Sequence, residues 1–109
     1  MGEEAEMSTY VLVHGSWHGG WCWGPVVAGL AERGHVAFAP TMPGHGVGAE
    51  RAGIRNEDCI NALVEFIEER DLRDLILVGH SWGGTVLSGA APRVINRLQG
   101  SRLLERVRA

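Results

Sequence analysis

The pentapeptide Gly79-His80-Ser81-Trp82-Gly83 follows the apolar run Leu75 to Val78 and precedes a stretch of small and apolar residues ending at Ala90. A serine in a G-x-S-x-G pattern between a strand and a helix sits on a sharp, strained turn that lifts its hydroxyl above the sheet. Glycines flank it because a Cβ at those positions would meet the neighbouring strand and helix. The chemistry this suits is nucleophilic attack on an acyl carbon, with Ser81 as the attacking group. Taken alone, the pentapeptide also reads as a plain strand-to-helix turn. A second segment weighs against that reading: His14-Gly15-Ser16-Trp17 follows the first apolar run, where such chemistry needs another backbone N–H for the developing oxyanion.

The remaining chemical groups add little. His14, His18, His35, His45 and His80 all precede Ser81; after it come no histidine, no aspartate and the single glutamate Glu105. His80 adjoins the serine, but neighbouring residues in so sharp a turn point in different directions, which disfavours it as a base. An unassisted serine is a weak nucleophile. His14 and His18 have a metal-compatible spacing without a surrounding cluster of carboxylates or thiolates, so no metal site is predicted. Gly44-His45-Gly46-Val47-Gly48 lacks the G-x-G-x-x-G spacing, and the chain has no lysine to complete a phosphate-binding loop. No cofactor is predicted. Trp17, Trp21 and Trp23 read as packing and pocket walls, with Trp17 and His18 able to face a bound acyl group.

The elements that position these groups follow from periodicity and punctuation. Thr9 to Val13 is a short β-favouring run, suited to a strand buried on both faces. Pro25 opens a helix carrying Val26, Val27, Leu30 and Ala31 on one side, with Gly34 past its end. Val36 to Ala39 is a second strand stopped by Pro40, and Pro43-Gly44-His45-Gly46 is a turn. Asn56 reads as the cap of a helix with Glu57 and Asp58 in its first turn and Ile60, Leu63, Val64 and Ile67 at helical spacing. Leu75 to Val78 is the third strand. Strand and helix alternate three times, which predicts an α/β fold with a parallel sheet and helices on both faces.

A chain of 109 residues, 45% hydrophobic and 21% charged, holds one domain. Its net charge of -3 gives no reason to expect nucleic acid or an anionic membrane as partner. Cys22 and Cys59 lie far apart without C-x-x-C spacing and read as reduced, buried thiols. The acidic start has no secretory pattern, and no apolar run is long enough to cross a bilayer, so a cytoplasmic protein is expected. Residues 1–8 read as a disordered extension, 9–98 as the domain, and 99–109 as an atypical Arg-rich tail.

The run Val11-Leu12-Val13-His14-Gly15-Ser16-Trp17-His18-Gly19-Gly20-Trp21-Cys22-Trp23 resembles the opening of the plant methylesterase and hydroxynitrile lyase branch of the α/β-hydrolase fold, with its bacterial esterase relatives. Pro43-Gly44-His45-Gly46 and Gly79-His80-Ser81-Trp82-Gly83-Gly84 are similar to the next two motifs of that branch, and the resemblance runs from Tyr10 to about Val94. It implies a partial α/β-hydrolase fold with Ser81 as nucleophile, the backbone N–H groups of Ser16 and Trp82 as oxyanion hole, and a small carboxylic ester as substrate. His14, Gly15, Trp17, His18 and His80 are then expected around the substrate pocket.

In that branch the triad acid and histidine follow the nucleophile, so this chain is expected to be an N-terminal half, nearly inactive by itself. The same scaffold also hosts cyanohydrin lyases and non-catalytic ligand-binding modules, which remain the alternatives. Gln99 to Ala109 lacks the apolar strand expected next, and truncation is the favoured reading over a short amphipathic helix. An unpaired sheet edge would then invite self-association.

Overall fold

The computed structural model describes residues 8–15, 19–45 and 53–104. Four parallel strands form one sheet: β1 (Thr9–Val13), β2 (Val36–Phe38), β3 (Leu75–Gly79) and β4 (Leu98–Leu104), in the order β2-β1-β3-β4. Helix α1 (Gly24–Glu32) connects β1 to β2, α2 (Asn56–Glu69) lies between β2 and β3, and α3 (Trp82–Ala90) follows β3 directly. The chain builds outward from β1 to β2, returns past β1 to lay down β3, then continues to β4. This puts a topological switch point between β1 and β3, where a parallel α/β sheet opens a crevice at its carboxyl ends. Thr9 pairs with Leu75 and Val13 with Gly79 in register, so the loops after β1 and β3 leave the sheet side by side.

The strands alternate their side chains between two cores. Val11, Val13, Leu75 and Leu77 point to one side, where Cys59, Leu63, Val64 and Ile67 of α2 and Val86, Leu87 and Ala90 of α3 bury them. Leu12, Ile76 and Val78 point to the other side and meet Trp23, with Tyr10, Val27, Ala37 and Ala39 partly buried around them. Helix α1 contributes no buried residue to this second core: Val27 and Leu30 are half-buried, and Val26 and Ala31 are exposed. No helix among the described residues is long and apolar enough to cross a membrane.

Several features differ from the sequence reading, among them Cys22, which is exposed in the turn after Gly19 rather than buried. The tail is not devoid of strand, because β4 runs through Gln99 to Leu104 beside β3. It pairs irregularly: Leu75 faces Leu98 but Leu77 faces Leu103, so two steps along β3 answer to five along β4. A bulged strand interrupted by polar residues leaves no period-two signal in sequence, although its backbone still pairs. Ser8 is not part of a loose extension, since its N–H donates to His35 Nδ1 at 3.1 Å and its carbonyl accepts from Val36 at 3.0 Å. The expectation of disorder for residues 1–7, and the reading of residues 105–109 as the end of an Arg-rich tail, lie outside the described residues. Finally, Asn56 is the first helical residue of α2 rather than its cap; Arg55 precedes the helix, with its N–H bound to Asp58 Oδ2 at 2.8 Å.

Candidate active site

Ser81 stands between β3 and α3 with φ 56 and ψ -116, a left-handed backbone that a non-glycine residue adopts only where its surroundings force it. The forcing is visible on both sides. A Cβ on Gly79 would lie 2.7 Å from the carbonyl carbon of Gly83, and a Cβ on Gly83 would overlap the carbonyl oxygen of Val13. Strand, turn and helix therefore close on one another with no room for side chains, and Ser81 is left exposed at the apex. Two backbone bonds tighten the turn: the N–H of Gly83 donates to the carbonyl of His80 at 2.9 Å, and that of Gly84 to Ser81 at 2.8 Å. The Trp82 N–H is the first of α3, where a helix has no internal acceptor for it.

The loop after β1 lies against this turn. His80 donates its N–H to the Val13 carbonyl at 3.0 Å, and a Cβ on Gly15 would sit 3.0 Å from His80 Nδ1. The two motifs singled out in sequence are thus packed against each other at the switch point. Gly15 is there for the close approach of His80, and His80 is half-buried beside it.

His14 takes a different part from the expected pocket wall. It is fully buried, its Nε2 accepts the Met42 N–H at 3.0 Å, and its Nδ1 lies 2.8 Å from the Gly15 carbonyl. That pattern places the ring proton on Nδ1 and leaves the imidazole neutral, tying the loop after β1 to the loop after β2. A second tie runs from the Gly20 N–H to Thr41 Oγ1 at 2.9 Å. The expectations for Ser16, Trp17 and His18 lie outside the described residues.

Two residues that the sequence reading did not place at the site join it here. The indole of Trp82 stacks on the His45 imidazole with centroids 4.7 Å apart and planes at 25°, and His45 in turn lies 5.1 Å from the buried His14 ring. The Trp82 Nε1–H donates to Asn56 Oδ1 at 3.0 Å. His45 belonged to a recognised turn and Asn56 to a helix start, and nothing in their local sequence points to an indole 26 residues further along from Asn56. A cleft of about 210 Å³ opens on this group, lined by Pro43, His45, Ile54, Arg55, Asn56 and Trp82 among others; Ser81 is outside its lining. Cys59 closes its base, and burial, with the nearby Asp58 carboxylate, pushes that thiol above its ordinary pKa, so it stays protonated.

A strained serine on a strand-to-helix turn, at the switch point of a parallel sheet, is the arrangement expected of a nucleophile elbow. Residues 10–107 match the sequence pattern of the alpha/beta hydrolase family. The chain belongs to that family. Over 95 residues this hydrolase chain is 42% identical to a carbendazim hydrolyzing esterase from a Nocardioides species, a match covering 85% of this chain and 39% of that protein. Methylesterase 9 of Arabidopsis thaliana is 40% identical over 88 residues, covering 78% of this chain and 34% of the plant enzyme. Among solved structures, an extracellular alpha/beta-hydrolase from a Paenibacillus species superposes with a TM-score of 0.78 at 35% identity, covering 84% of this chain and 37% of that one. The hydrolase chain thus spans less than two-fifths of the length of these relatives.

Proposed function

We propose that Ser81 is the nucleophile of a carboxylic ester hydrolase and that the reaction passes through an acyl-Ser81 intermediate. The observation that carries this reading is the left-handed conformation of Ser81, enforced by glycines that admit no Cβ. Strain of this kind costs about 1–3 kcal/mol, is held only where the surroundings enforce it, and clusters at active sites. In the proposed reaction Ser81 Oγ attacks the ester carbonyl carbon while its proton passes to a base. The tetrahedral oxyanion is held by the N–H of Trp82 and by that of Ser16. Collapse expels the alcohol, which takes up the proton, and water then attacks the acyl-serine to release the carboxylic acid.

No histidine or aspartate follows Ser81 in this sequence, so the base and the acid that orients it would come from outside these residues. The substrate class we propose is a small methyl ester or methyl carbamate. Its support is the naming of relatives as methylesterase and as carbendazim hydrolyzing esterase.

The test is to incubate the chain with excess 4-nitrophenyl acetate at mildly alkaline pH and to follow both nitrophenol release and intact mass. The expected result is slow, stoichiometric acetylation mapping to Ser81, with turnover far below that of a complete enzyme. An oxyanion hole without its triad is expected to retain at most about 10³–10⁴-fold over water. Ser81→Ala should abolish the adduct. An adduct that survives this change, or none in the parent chain, overturns the reading.

A further inference from the structure

We propose that Asn56 is a positioning residue for Ser81, acting through the Trp82 indole; the inference rests on the nucleophile assignment above and goes beyond it. The problem it addresses is mechanical. Ser81 holds an unfavourable backbone conformation, and the residue after it carries the N–H proposed to meet the oxyanion. The close contacts of Gly79 and Gly83 fix the turn from the side of the sheet. On the outer side of the first turn of α3, any further restraint has to come from side-chain contacts.

The Trp82 side chain supplies that restraint at two points. Its ring lies flat on His45, which neighbours the fully buried His14, and its Nε1–H is bound to Asn56 Oδ1 at 3.0 Å. An indole N–H only donates, so the partner must present an acceptor, which orients the Asn56 amide with its oxygen toward Trp82. Asn56 is itself firmly placed, since it begins α2, whose Cys59, Leu63, Val64 and Ile67 are buried in the larger core. Helices α2 and α3 also meet closely further along, where a Cβ on Gly89 would run into the Ile60 side chain. The Asn56 bond therefore adds a second anchor between two packed helices, and it does so at the residue adjoining the nucleophile.

The helix itself has no need of this asparagine. The cap position belongs to Arg55, whose N–H is satisfied by Asp58, and asparagine is a mediocre helix former inside the first turn. The one described task of its Oδ1 is the indole bond.

The experiment compares rates of Ser81 acetylation by 4-nitrophenyl acetate in the full chain and in Asn56→Leu, Asn56→Asp, Trp82→Phe and the Asn56→Leu/Trp82→Phe double variant, well below their unfolding temperatures. The indole ¹⁵N–¹H resonances are recorded for each. Losing a net hydrogen bond of ordinary strength predicts acetylation slowed about three- to tenfold in Asn56→Leu and in Trp82→Phe, with the double variant no slower than either. Asn56→Asp keeps the acceptor and should restore the parent rate, a rescue that a merely structural surface role would not require. A parent rate in Asn56→Leu, or an Asn56→Asp variant as slow as Asn56→Leu, overturns the proposal while leaving Ser81 as nucleophile. Absence of any Ser81 adduct in the parent chain overturns the nucleophile assignment, and this proposal with it.

Discussion

The two faces of the sheet are built from the same strands and end up very differently covered. On one face α2 and α3 bury seven of their side chains against Val11, Val13, Leu75 and Leu77. On the other, Leu12, Ile76 and Val78 meet Trp23 and the half-buried side of α1, and α1 buries nothing fully. Apolar content does not explain this. Helix α1 is almost wholly apolar, whereas α2 carries Glu57, Asp58, Glu65, Glu68 and Glu69. What separates them is arrangement: α2 gathers its apolar residues into one stripe that fits the sheet, while Val26 of α1 faces outward at 43% exposure. The thin face also keeps the described buried side-chain atom without a hydrogen-bond partner, Trp23 Nε1. The site shares in the asymmetry, because Trp82 packs against the thick core and its indole meets His45 and Asn56 there.

The largest difference between the faces should appear when one apolar side chain on each is cut back to alanine. Leu63, at 0% exposure in the thick core, should cost about 2–5 kcal/mol when changed to alanine, through lost burial and the cavity left behind. Val27→Ala on the thin face should cost about 1 kcal/mol or less, because the side chain is already half in water. Urea unfolding of the two variants reads both values; equal losses would mean that the thin face is as well covered in solution as the thick one.

The smallest effect is expected at the rim, where Arg97 ties the segment after α3 to the end of α2. Its Nη1 lies 3.0 Å from Asp71 Oδ1 and 3.1 Å from the Leu72 carbonyl. The hydrogen bond from Arg97, with the charge of Arg73, holds the Asp71 carboxyl below its ordinary pKa. A carboxylate depressed in this way contributes stability above its unfolded pKa and loses it as pH falls through the lower folded value. Asp71 is on the surface, so solvent and salt keep the contribution small. Carboxyl ¹³C titration should place Asp71 below the ordinary aspartate value, and Asp71→Asn should move the urea midpoint least of the three variants, and only above that pH window.

Much of the fold was legible because its signals are local. Buried parallel strands leave continuous apolar runs at Thr9–Val13 and Leu75–Gly79, and α2 announces itself by period. The bulged β4 and the true start of α2 were not legible, since a strand's partner and a helix's capping carboxylate are chosen by what lies nearby in space. At the site, Ser81 was legible from its glycine neighbours, whose role is steric and therefore visible as residue type. The buried part of His14 was not: an H-G pair after a strand looks the same whether the ring faces a pocket or accepts the Met42 N–H.

The sequence by itself determined that a serine would be held on a strained turn between a buried strand and a helix, because only glycines permit that backbone path and glycine is written in the sequence. The tertiary structure alone decided what stands around it. His45, Asn56 and Trp82 come from three separate segments and meet because α2 and α3 pack on the same face of the sheet. Contacts across such distances depend on how helices seat against a twisted sheet, which no local pattern of residues specifies.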